Sequence, residues 1–158
     1  MKVVEDELRQ KIVERYSEAL GSNLVALAFF GSYARGDSTE WSDIDLLLIA
    51  SELPQNPFER QGLVKMPLLG LGAGPLAVLA RTVEEFTADV SPLHLDLAED
   101  AIIFYDPQGF LASRLARVRA LIQEAGLVRQ RTAQGLVWWW EAEPPKPGWS
   151  LTWEGFKP

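Results

Sequence analysis

The feature that most restricts this chain is a pair of apolar runs joined by a short polar link. The first, Leu24 to Phe30, ends in Gly31-Ser32. The second, Ile44 to Ala50, opens on Asp43 and Asp45. Short apolar runs bounded by turn residues read as buried strands. Tyr33 to Arg35 read as the first turn of a short helix after the glycine-serine pair. Free N–H groups at a helix start attract anions, and glycine lets a phosphate approach the backbone. Side chains two apart on a strand point to one face, so both carboxylates project together beside that turn.

Two carboxylates held close repel, and each raises the other's pKa. A divalent cation reverses the sign of that interaction. Mg²⁺, or Mn²⁺ in its place, takes carboxylate oxygens together with substrate phosphates. A phosphate turn, a carboxylate pair and a metal make a site for a nucleoside triphosphate. The chemistry expected there is in-line attack on the α-phosphate with pyrophosphate leaving.

Gly31-Ser32, Ala34-Arg35-Gly36 and Ser42-Asp43-Ile44-Asp45-Leu46 together resemble the signature of the polymerase-β-like nucleotidyltransferase superfamily, nearest in size to its minimal nucleotidyltransferase branch. The resemblance implies transfer of a nucleoside monophosphate, AMP from ATP, to an acceptor that it does not identify. It implies Gly31, Ser32 and Arg35 on the phosphates, and Asp43 and Asp45 as metal ligands and catalytic residues. It also implies a third carboxylate on a neighbouring strand. By element order that strand is Leu76 to Ala80, which has no acid. Asp96, in the apolar-acid-apolar triplet Leu95-Asp96-Leu97, is the candidate third ligand and base, with Asp100 the alternative. The competing reading puts Asp96 on the outer face of a helix. Relatives of this branch also resemble antitoxins whose partner is a HEPN-type ribonuclease. The alternative function is therefore a partner-binding antitoxin, or a nucleotide-binding protein of weak catalysis.

At 158 residues the chain is expected to form one domain with a sizeable core. It has no cysteine and one histidine, so any metal within it is held by oxygen. A net charge of −7 opposes broad binding to nucleic acid, which needs a cationic surface. No apolar run is long enough to span a bilayer, and the acidic amphipathic N-terminus is unlike a signal peptide. Those features give the expectation of a cytoplasmic protein.

The fold expected is α/β: a small mixed sheet with helices on one face. Residues 1–126 would form the nucleotidyltransferase domain, with a C-terminal β-hairpin and aromatic tail, 127–158, packed on it. Residues 5–20 and 110–125 carry helical apolar stripes. Thr82 to Glu85 is a capping box, and Ser91-Pro92 begins another helix. Gly70 to Gly74 has the wrong spacing for a nucleotide loop and reads as a turn. Arg114, Arg117 and Arg119 read as a solvated helix face rather than a nucleic-acid patch. Trp149, Trp153 and Phe156 are too aromatic for a disordered tail. They suit packing along the domain or an oligomer contact more than a base-stacking platform.

Overall fold

A computed structural model describes residues 2–72 and 74–158, with side chains from residue 5 onward. Ala73, inside the expected Gly70–Gly74 turn, and the side chain of Val4 lie outside the described residues. Four strands form the main sheet: β1 (Leu24–Phe30), β2 (Ile44–Ala50), β3 (Leu76–Thr82) and β4 (Ile102–Tyr105). Their order is β3-β2-β1-β4. β1 runs antiparallel to β2 and β4, while β2 and β3 are parallel. The helices are α1 (Lys2–Leu20), α2 (Gly31–Arg35), α3 (Pro57–Lys65), α4 (Val83–Thr87), α5 (Pro92–Asp100) and α6 (Phe110–Ala125).

The sheet is mixed, as expected, but its helices divide between two faces instead of covering one. The cause is visible in β1 and β2, whose residues are apolar on both sides of the pleat. Leu27, Phe29, Leu46 and Leu48 pack with Ile12 and Tyr16 of α1 and Val64 of α3. Ala26, Ala28, Leu47 and Ile49 face the other way, onto Phe86, Leu97, Leu111 and Leu115 of α4, α5 and α6. The small Ala26 and Ala28 let the second layer approach closely. Tyr16 is fully buried, and its hydroxyl donates to the Val64 carbonyl at 2.5 Å.

The capping box forms as written in the sequence. Thr82 Oγ1 accepts from Glu85 N at 3.0 Å, and Glu85 Oε1 accepts from Thr82 N at 2.9 Å. Asn56 caps α3 in the same manner, taking the amides of Phe58 and Glu59. His94 is buried and completes a cap on α5: Ser91 N donates to its Nδ1 at 3.0 Å, and its Nε2 meets Phe86 O at 2.8 Å.

After α6 the chain forms a hairpin of β5 (Leu127–Thr132) and β6 (Gly135–Trp140). The tail adds a second, shorter hairpin of β7 (Ser150–Thr152) and β8 (Gly155–Lys157). Its aromatic residues pack on the protein itself. Trp140 stands edge-on to Trp149 at 5.1 Å, and Trp153 edge-on to His94 at 5.5 Å. The α6 arginines serve that packing. Arg117 Nε donates to Trp153 O at 2.9 Å, and Arg114 lies over the Trp153 ring. Arg119 donates to the Ala98 carbonyl at 3.2 Å.

Candidate active site

The antiparallel β1–β2 pair explains why residues a dozen apart in sequence meet. Phe30, the last residue of β1, lies opposite Asp45. Gly31 follows at once and stands against the Asp45 side chain. A Cβ added to Gly31 would overlap Asp45 Oδ2. Gly31 also has φ +71°, where side chains are strained. Two independent reasons therefore hold this position to glycine. Gly36, at φ +83°, closes α2, and the amides of Gly36 and Asp37 both return to Ser32 O, at 3.0 and 3.1 Å.

The link between the strands is built, not loose. Thr39 N donates to Ser42 Oγ at 3.0 Å, and Ser42 N donates to Thr39 O at 3.1 Å. Ile44 N donates to Pro75 O at 3.0 Å, which fixes the start of β2 against the segment leading into β3. Asp43 is exposed and Asp45 half-buried. Burial first, and then the charge of Asp43, raise the Asp45 pKa above its ordinary value, while Arg35 pulls it down.

The neighbouring acids are in a different state. Asp37 Oδ2 accepts from Arg35 Nε at 3.3 Å and from Arg131 Nη2 at 3.2 Å. Asp100, with 5% of its side chain exposed, receives both Nη atoms of Arg129 at 2.7 Å and Arg35 Nη1 at 3.2 Å. Burial raises the Asp100 pKa, but the arginine hydrogen bonds outweigh it and leave the carboxyl below its usual range. Among the described residues, every ion pair starts from Arg35, Arg60, Arg117, Arg129 or Arg131, and none ends on Asp43 or Asp45. Asp43 and Asp45 repel each other, and neither forms an ion pair. That donor set, oxygen-only and anionic, fits a hard divalent ion.

Asp96 does not join them. Ser91 and Pro92 start α5, so Leu95-Asp96-Leu97 is helical and not a strand. Asp96 Oδ1 accepts from Trp138 Nε1 at 2.8 Å and from Arg129 Nη1 at 3.3 Å. Its carboxylate is thus committed to the hairpin, which corrects the expectation that it is the third ligand. Asp100, the alternative, is held more tightly still, by Arg129 and Arg35 together. On β3 the residue level with Asp45 is Ala77. Among the described residues, no three of His, Cys, Asp and Glu gather as a metal-holding group. The sequence reading missed Asp37, Arg129 and Arg131. The only signal for the two arginines was the Arg-x-Arg spacing on β5, which places both guanidinium groups on one face.

The mixed sheet thus brings a glycine-serine turn onto an aspartate pair that forms no ion pair. Residues 6–111 match the family described as the nucleotidyltransferase domain, and the chain belongs to that family. It is a nucleotidyltransferase. A Methanocaldococcus jannaschii relative, named "Putative protein adenylyltransferase MJ1305", is 31% identical over 124 residues, covering 75% of this chain and 80% of the relative. Two solved structures share the fold. One is a toxin–antitoxin with AMP-PNP, with a TM-score of 0.52 and 19% identity over 73% of this chain and 90% of that one. The other is the toxin–antitoxin MntA-HepT, with a TM-score of 0.51 and 15% identity over 75% of this chain and 86% of that one. Among the described residues, no helix is long and apolar enough to cross a membrane.

Proposed function

We propose that this protein transfers AMP from ATP to a hydroxyl group of another protein, using Mg²⁺ or Mn²⁺. One observation carries the reading. Asp43 and Asp45 form no ion pair, although Asp37, Asp96 and Asp100 are each held by arginine. Unpaired adjacent carboxylates cost stability unless something positive joins them. In this reading Asp43 and Asp45 hold the metal. When bound, the ion neutralises charge on the polyphosphate and its α-phosphate. Gly31 and Ser32 receive the outer phosphates, and the missing Cβ of Gly31 makes room for the Asp45 carboxylate beside them. Arg35 donates to them as well. The acceptor oxygen attacks the α-phosphorus as the bond to the bridging oxygen breaks. Pyrophosphate leaves, and the hydroxyl proton passes to solvent or to a base on the acceptor.

The protein acceptor is supported by the name of the archaeal relative, and ATP by the AMP-PNP in the fold neighbour. A second reading makes the chain the antitoxin of a HEPN-type toxin, acting by adenylylating or by simply binding it. The likeness of fold to MntA-HepT favours it.

The test is incubation of the protein with α-labelled ATP, Mg²⁺ and candidate partner proteins. Label should move to a protein, and Asp43→Ala should lose more than the ~10–100-fold typical of residues that only orient a ligand. Equal transfer by Asp43→Ala and wild type would end the reading. Stable complex formation with a helical toxin and no label transfer would favour the second.

A further inference from the structure

Beyond residue 111, where the family match ends, the β5–β6 hairpin sends arginines back toward the site. We infer that Arg129 is a positioning residue for nucleotide: by saturating Asp100, it keeps the Nη2 of Arg35 free to bind the triphosphate. The inference rests on the proposed role of Arg35.

Arg129 grips Asp100 with both Nη atoms, Nη2 to Oδ1 and Nη1 to Oδ2, each at 2.7 Å. Asp100 then has only a longer, single contact for Arg35, Nη1 to Oδ2 at 3.2 Å. Arg35 gives its Nε to Asp37 at 3.3 Å. Its Nη2 makes no hydrogen bond among the described residues. Arg35 ends the short helix α2, whose first residue, Gly31, stands against the Asp45 side chain. The spare guanidinium nitrogen therefore belongs to a residue beside the carboxylate pair.

Without Arg129, the nearly buried Asp100 would lose its fork. A carboxylate in such a place demands full charge pairing. Arg35 is the nearest other cation bonded to it, and a bidentate Arg–carboxylate pair is the stronger arrangement. Arg35 would turn its second nitrogen to Asp100 and leave the phosphate side. Trp138 and Asp96 anchor Arg129 for this task. Trp138 Nε1 donates to Asp96, Asp96 accepts from Arg129, and the Arg129 guanidinium lies 5.8 Å from the Trp138 ring centroid.

The experiment is calorimetric binding of ATP and of AMP, each with Mg²⁺, to the full chain and its variants. Arg129→Gln should weaken ATP about tenfold, the lower end for residues that orient a binding group. AMP, which lacks the outer phosphates, should change less than twofold. Arg129→Lys should fall between, because lysine keeps the charge but cannot fork. In an Arg35→Ala background the Arg129→Gln penalty should vanish, since the two act in series. A cooperative melt checks that each variant folds, and Arg129→Lys carries the test where Arg129→Gln does not. Loss of the Arg129 effect on ATP, equal loss for AMP, or a penalty undiminished without Arg35 each overturns the inference. If Arg35→Ala itself leaves ATP binding unchanged, it is the role of Arg35 that fails.

Discussion

Replacing Gly31 by alanine separates stability from function in a way the structure makes quantitative. The backbone there sits at φ +71°. Holding a residue with a Cβ in the left-handed region costs roughly 1–2 kcal/mol. At this chain length each kcal/mol moves Tm by about 2–4 °C, so the melt should fall by roughly 2–8 °C. The steric conflict is with Asp45 Oδ2, the far end of a side chain and not backbone. Asp45 can rotate away at small cost to the fold, because its strand is held by β1 on one side and β3 on the other. It cannot do so and keep its oxygen beside Asp43. The variant should therefore stay folded, lose Mg²⁺-ATP stabilisation in thermal melts, and lose most nucleotidyl transfer. Adding Asp45→Ala to Gly31→Ala should restore much of any steric part of the lost Tm but none of the transfer. A variant with near-normal transfer would show that Gly31 and Asp45 are not partners at the site. A fall in stability well beyond the conformational cost would show that the turn is structural.

Other outcomes follow from the same geometry. Asp45→Asn should leave the metal-free protein as stable as wild type or more so, because it removes a half-buried charge facing Asp43; a clear fall in Tm without metal would make the pair structural. Saturating Mg²⁺-ATP, at about 100 times its Kd, should stabilise wild type by ~2.7 kcal/mol and leave Asp43→Ala unmoved; equal shifts would remove the metal from the argument. Asp100 has a folded pKa below its ordinary 3.8. Its contribution is therefore full above the unfolded pKa and lost as pH falls through the folded value. Arg129→Gln should flatten that acid limb in melts taken across pH, and an unchanged limb would contradict the pairing.

Much of this was written locally. β1 and β2 begin and end where the apolar runs do, because Gly31 and the Asp43–Ile44 boundary punctuate them. The Thr82–Glu85 cap and the α6 stripe need only neighbours along the chain. One failure ran against a local signal, and the other needed distant partners. Leu95-Asp96-Leu97 alternates like a strand, and only Ser91, Pro92 and the buried His94 show that a helix has already begun there. The division of helices between two faces was present in the doubly apolar β1 and β2. A continuous hydrophobic run shows that both faces are covered, but not by which elements.

The ion-pair web shows the same limit more sharply, and also says what the hairpin contributes. Arg129 and Arg131 lie about ninety residues downstream of Asp37 and Arg35, and no local rule joins them. In space they neutralise the acids around the site: Asp37, Asp96 and Asp100 each meet a guanidinium. For a chain of net charge −7, this removes nearby negative charge that would repel a polyphosphate. It leaves without an ion pair the two carboxylates for which the proposed metal is the partner. The hairpin is thus an electrostatic part of the site, although it lies outside the stretch that defines the family. Removing both Arg129 and Arg131 should weaken ATP binding more at low ionic strength than at high, because screening hides the exposed charges at Asp37 and Arg131. A salt-independent loss would instead assign the hairpin a purely steric role.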